Sequence, residues 1–338
     1  MDLMFVKKGE STVKWRAAQL IGVLLVAGGL LGIGQAQRKS GDDREEGLFR
    51  IPVWVEQEGQ FWRRGKREAF RLLLNEEELP VRSFQGPESP TVLLLVFDTV
   101  VDLARVDQVR LRLQDRLREL PENHWVGVLR SQDGLRALLE PTADRERLVE
   151  TIRGIQVNGR AGLLDTLVPI SNLASRILTE SAVRVFVLYI TDSGIANYRA
   201  DYLNPVINAS DAGDLSRRFS DRAVQEQVSR IGQSLSRFAI PLFVLHLEYR
   251  PDALNLAYQS GLERIAGEKG GQALLCRTVD EIAPSLDALL TRLLGGYYVG
   301  TNWPEKGRGP WKVRVELRGE GAGGTRVTHP AQVERPKK

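Results

Sequence analysis

The sequence predicts an α/β protein built on a doubly wound, mostly parallel sheet, and three observations carry that expectation. Val92 to Asp102 reads VLLLVFDTVVD, the continuous apolar run of a parallel strand buried on both faces, closed by a carboxylate at Asp98. From Thr91 to about Gly296, strand-like runs alternate with helical periodicities, the order that covers a parallel sheet with helices. The composition is globular: 338 residues, 42% hydrophobic and 27% charged, enough for one large domain and one small one.

Strands are expected at Val92 to Phe97, Trp125 to Leu129, Leu135 to Leu139, Val183 to Ile190, Leu242 to Leu247 and Ala273 to Cys276. Between them, Leu103, Val106, Val109, Leu113, Leu117 and Leu120 recur at helical spacing, as do Leu164, Leu167, Ile170 and Ile177. Leu215, Phe219, Ala223, Val228, Ile231, Leu235 and Phe238 form a third apolar face. The third strand follows the second after SQDG, too short for a crossover helix, so that pair is antiparallel. Open sheets bind ligands beyond the carboxyl ends of their strands, which makes Asp98 a candidate binding residue.

The flanks read differently. FRIPVWVEQEGQFWRRGKREAF alternates Ile51, Val53 and Val55 with Pro52, Trp54 and Glu56, and EQEG reads as a turn into a second strand. QGPESP marks a boundary. After Gly296, Trp311, Val313, Val315 and Leu317 alternate with charged residues as a half-exposed strand, expected to pair with Ile51 to Val55 so that both flanks build one β module. GEGAGG is read as a turn, because no helix follows it to offer an N-terminus to phosphate. The expected organisation is a leader over 1–37, a linker over 38–47, a β-rich module over 48–90, the α/β domain over 91–296, a β segment over 297–330 and a tail over 331–338.

Ala17 to Gln37 carries no charge and follows Lys7, Lys8, Lys14 and Arg16, with Gly34 and Ala36 in signal-peptidase spacing. It reads as an export signal, either cleaved or kept as a membrane anchor, which puts the rest outside the cytoplasm: periplasmic, secreted or anchored. A membrane is expected to be engaged only through this N-terminal segment when it stays uncleaved. The net charge of +4 comes partly from basic clusters near the two termini rather than from one basic helix, which argues against nucleic acid as partner. One cysteine, Cys276, excludes an internal disulfide and multi-cysteine metal sites, and it reads as a core residue. His124 and His329 stand far from other candidate ligands in the sequence and give a zinc site no support.

VLLLVFDTVVD, HWVGVLRSQDGLRALLEPTADRERLVETI, NGRAGLLDTL, VFVLYITDSG and GLERIAGEKGGQALLCRTVDEI follow one another in an order that resembles von Willebrand factor A domains. FRIPVWVEQEGQFWRRGKREAF, YYVGTNWP and WKVRVEL resemble the flanks of the bacterial exported branch called VWFA-related. The resemblance implies a six-stranded sheet of order 3-2-1-4-5-6 with strand 3 antiparallel, and Asp98 and Asp192 on either side of the reversal. It also implies a metal-ion-dependent adhesion site: Asp-x-Ser-x-Ser, a threonine in a separate loop and an aspartate after the fourth strand, with a partner carboxylate completing the shell of a divalent cation. Here the first motif is Asp98-Thr99-Val100-Val101-Asp102 and Ala161 stands in the threonine's place. Valine and alanine offer no oxygen, so the site is expected to be vestigial, its carboxylates solvated or paired with a basic residue such as Arg160.

Three functions follow. The first, which the resemblance favours, is an exported protein-interaction module that binds a protein or envelope partner without metal or other cofactor and without catalysis. Its insertion Ala196 to Asp214 would supply Tyr198 and Tyr202 to the interface. The second is a magnesium- or calcium-dependent adhesin through Asp98, Asp102 and Asp192. The third is a hydrolase using Ser193 with His246 and Asp98, although Thr191 replaces the first glycine of a nucleophile elbow.

Overall fold

Alternating burial and turn chemistry set the strands, and a computed structural model describes residues 48–195, 221–304, 309–318 and 324–335. The central sheet has six strands: β6 (Thr91–Asp98), β7 (His124–Arg130), β8 (Arg136–Thr142), β9 (Arg184–Thr191), β10 (Leu242–His246) and β11 (Gln272–Leu275), in the order β11-β10-β9-β6-β7-β8. Counting these strands along the chain gives 3-2-1-4-5-6. β6 pairs in parallel with β7 and β9, whereas β8 runs antiparallel to β7. Every residue of β6 and β9 is buried, which is why both read as unbroken apolar runs.

Helices α1 (Leu103–Arg118), α2 (Arg145–Arg153), α3 (Leu163–Glu180), α4 (Asp221–Leu235), α5 (Ala253–Glu268) and α6 (Ile282–Leu294) follow the strands. α1 buries Val106, Val109, Leu113 and Leu117 and α3 buries Leu164, Leu167 and Ile170, the faces their periodicity marked, except that Leu103, at the first turn of α1, is exposed. Asp102, Asp144 and Asp252 cap α1, α2 and α5, each side chain accepting an N–H three residues on, a contribution of about 1 kcal/mol apiece. Tertiary packing supplies most of the rest: one core runs through the sheet and both helix layers.

The flanks interleave. β1 (Leu48–Gln57) pairs antiparallel with β12 (Tyr297–Asn302) and β14 (Thr325–Thr328), and β12 carries β5 (Ser83–Gln85) on its other side. The expected turn is present: Glu58 and Gly59 take positive φ and lead into β2 (Gln60–Phe61). β13 (Trp311–Leu317) corrects one expectation, because Val313 and Val315 pair with Leu74 and Leu72 of β3 (Phe70–Leu74) rather than with Ile51 to Val55. β15 (Gln332–Val333) and β4 (Glu77–Leu79) complete that second sheet. Ile51, Val53 and Val55 share a core with Phe70, Leu72, Val313 and Val315. Trp54, from the other face of β1, enters the core of the large sheet. Its Nε1–H donates to the Arg292 carbonyl at 2.7 Å.

Candidate functional site

The switch point lies between β6 and β9, where connections leave the sheet in opposite directions, and both carboxylates sit there fully buried. Asp98 ends β6. Its Oδ1 accepts the Gly162 N–H at 2.7 Å and its Oδ2 accepts the Leu163 N–H at 3.2 Å and the Ser193 hydroxyl at 3.0 Å. The two amides open α3, so Asp98 sits at a helix N-terminus, where negative charge is favoured. Gly162 is required: a Cβ there would lie 2.1 Å from the Ser131 carbonyl oxygen. Burial pushes the Asp98 carboxyl up to about 6, against the opposing donors Gly162, Ser193 and Leu163, and nearby Asp192 adds to the rise.

Asp192, just past β9, is held by three successive amides. Val100 N–H reaches Oδ1 at 2.7 Å, while Val101 and Asp102 N–H reach Oδ2 at 2.8 and 2.7 Å. Consecutive N–H groups in a turn make an anion-binding nest, and here the occupant is the protein's own side chain. Asp102 plays a third part. Its Oδ1 accepts the Arg105 N–H at 3.1 Å and its Oδ2 pairs with Arg105 Nε at 3.2 Å, and the Arg105 guanidinium continues to the Leu247 carbonyl.

These residues do not fit a divalent cation. Magnesium needs about six oxygens in near-octahedral array, yet N–H groups point at both Asp192 oxygens and Asp102 is turned to its own helix. Val100 and Ala161 contribute no oxygen, and among the described residues no group of three or more His, Cys, Asp or Glu could hold a metal. The expectation that the carboxylates would be solvated is corrected, since both are buried and backbone amides hold them. A helix-entry turn supplies amides without any side-chain signature in the sequence.

The hydrolase arrangement is absent. His246 is buried, and its Nε2 donates to the Ser193 carbonyl at 2.9 Å while Nδ1 accepts the Glu248 N–H at 3.3 Å. Both ring nitrogens are thereby committed to the backbone. Burial pushes the imidazole down to about 4. The Ser193 hydroxyl instead meets Thr191 Oγ1 at 2.7 Å and Asp98, and no surface reaches it. Cys276 is buried with its thiol pushed up by burial. Tyr198 and Tyr202 lie outside the described residues. Beside the crevice two apolar side chains are exposed, Val101 at 50% and Leu103 at 54%, together with polar Asp133, Asn158 and Arg160.

No family model matches the sequence, and no curated protein matches it. Comparison of structures does find similar chains. The chain resembles von Willebrand factor A domains. It is similar to the von Willebrand factor type A protein from Catenulispora acidiphila, at 12% identity and a TM-score of 0.41, covering 87% of this chain and 75% of that one. It is also similar to the von Willebrand factor domain of the type V pili tip protein Mfa5 from Porphyromonas gingivalis, at 12% identity and a TM-score of 0.39, covering 59% and 96%. A third match is the PilB minor pilin from Streptococcus sanguinis, at 14% identity and a TM-score of 0.45, covering 64% of this chain; the chain spans 63% of that pilin. The fold assignment rests on the strand order and pairing described above.

Proposed function

We propose that this chain is an exported protein-interaction module that binds a protein or cell-envelope partner at the carboxyl end of its six-stranded sheet, without a divalent cation and without catalysis. One observation carries the reading: three backbone amides fill the Asp192 carboxylate, so the turn that would have been tied down by metal is tied down by hydrogen bonds. The rim beside it exposes Val101 and Leu103, and apolar side chains on a fixed turn favour contact with protein. The charge-free run Ala17 to Gln37 after a basic start supports export. Tyr198 and Tyr202 extend the same reading to the insertion.

The test is crosslinking of the full chain in cells, followed by capture with and without a chelator. The reading expects capture unaffected by chelator, lost on joint Val101→Asp and Leu103→Asp substitution, and reduced when Tyr198 and Tyr202 are both made alanine. Capture that chelator abolishes would return the site to the metal-dependent class.

A further inference from the structure

Besides the basic clusters near the termini, the β module carries a third. The loop from β2 to β3 reads FWRRGKRE, and Arg63, Arg64, Lys66 and Arg67 are all exposed. Among the described residues no carboxylate lies within ion-pairing distance of any of the four. This contrasts with Arg71 and Arg318, which both pair with Glu78, and with Arg314, which pairs with Glu76. Within the loop only Glu68 opposes them.

The loop has a fixed shape. Buried Tyr297 donates its hydroxyl to the Trp62 carbonyl at 2.5 Å and accepts the Gly65 N–H at 3.0 Å, fastening the chain on both sides of Arg63 and Arg64. Gly65 has no room for a side chain, since a Cβ would lie 2.9 Å from the Trp62 ring and 3.0 Å from the Tyr297 hydroxyl. Trp62 packs on Phe70 and Tyr297. The cations therefore project from an ordered turn instead of a loose tail, and little entropy is lost when they are engaged.

We infer that this turn is a docking surface for an anionic lipid membrane, its guanidinium and ammonium groups meeting headgroup phosphates. Charge is the first argument: unpaired basic residues close to a bilayer surface bind anionic lipid with roughly fivefold gain per cation. Chain length is the second. The uncharged run Ala17 to Gln37 ends shortly before Leu48, where β1 begins, and a linker of roughly ten residues spans at most about 35 Å. A chain kept anchored by that run would carry the folded part, this turn included, at raised effective concentration near the lipid. This inference goes beyond the partner-binding reading, concerns a different surface and stands or falls separately from it.

The test uses the full chain reconstituted in vesicles of phosphatidylcholine alone or with phosphatidylglycerol, carrying a donor dye at Glu68→Cys and an acceptor dye on headgroups. Energy transfer should be higher on the anionic vesicles, fall with added salt, and drop to the neutral-vesicle value when Arg63, Arg64, Lys66 and Arg67 are all made glutamine, with an unchanged melting temperature. Equal transfer on the two vesicle types would overturn the inference, as would a lipid-dependent signal that survives the quadruple substitution. Preference of the turn for soluble anionic polymer over phosphatidylglycerol vesicles would also overturn it.

Discussion

The two ends of the six-stranded sheet bury charges of opposite sign, and the backbone holds both. At the carboxyl end Asp98 takes the first amides of α3, and Asp192 takes the amides of the turn entering α1. At the other end cations take the last carbonyls of helices: Arg50 bonds Leu178 and Ser181 after α3, Lys269 bonds Leu235 and Phe238 after α4, and Arg184 bonds Leu294 and Gly296 after α6. In a doubly wound sheet the helices run back against the strands, so orphan N–H groups gather at one end and orphan C=O groups at the other. The difference between the ends lies in what remains free. Helix N-termini at a crevice commonly bind a ligand's anion, but here the protein's own aspartates occupy those donors, leaving apolar Val101 and Leu103 to face outward.

The largest effect is expected from Arg184→Met. This wholly buried guanidinium also reaches Pro87 and Thr91, so it ties the start of β6 to the end of α6. Its loss strands several carbonyls and should cost about 3–5 kcal/mol in chemical denaturation. A result below about 1 kcal/mol would show that the two ends are not comparably built.

Next comes pH. Asp98 is raised from 3.8 to about 6 in the folded state, so the native protein holds the proton more tightly than the unfolded chain. Its contribution is complete below pH 3.8 and is lost as pH rises to about 6, by about 3 kcal/mol. His246, lowered from 6.5 to about 4, works the other way: it favours the fold above pH 6.5 and loses that contribution as pH falls through 4. Comparing the protein with Asp98→Asn isolates the first effect. The variant should gain relative stability between pH 4 and 6 and hold a constant difference above that range.

Asp192→Ala orphans three amides in the turn before α1 and should cost about 2–3 kcal/mol. Asp192→Asn should recover less than half, because its amide nitrogen cannot accept an N–H. The smallest effect belongs to Asp102→Ala, where loss of the helix cap removes about 1 kcal/mol while leaving the bonds to the Asp98 and Asp192 carboxylates in place. If Asp102→Ala were the costlier of these two sites, Asp102 would be acting as more than a cap.

Much of the fold was legible because burial on both faces leaves a plain trace: β6 and β9 are apolar runs, and each is followed at once by a carboxylate. The short SQDG link gave away the antiparallel β8. Long-range pairing was not legible, since the alternation of Val313 and Val315 reveals a buried face but not which strand lies beside it. Asp102 caps α1, and an Asp directly before a helical run is a capping signal as well as a candidate ligand. The partners of Asp98 and Asp192 were out of reach for a different reason. They are amides, which every residue but proline carries, and Gly162 hinted at them only through its place ahead of α3.

The central claim is that internal hydrogen bonds have taken the place of a cation at the switch point, and thermal unfolding across a magnesium and calcium titration tests it most directly. The account predicts the same melting temperature in chelator and in millimolar cation, for the protein and for Asp98→Asn alike, because no cation binds the native state in preference to the unfolded chain. A rise of several degrees with either cation, abolished by Asp98→Asn, would contradict it.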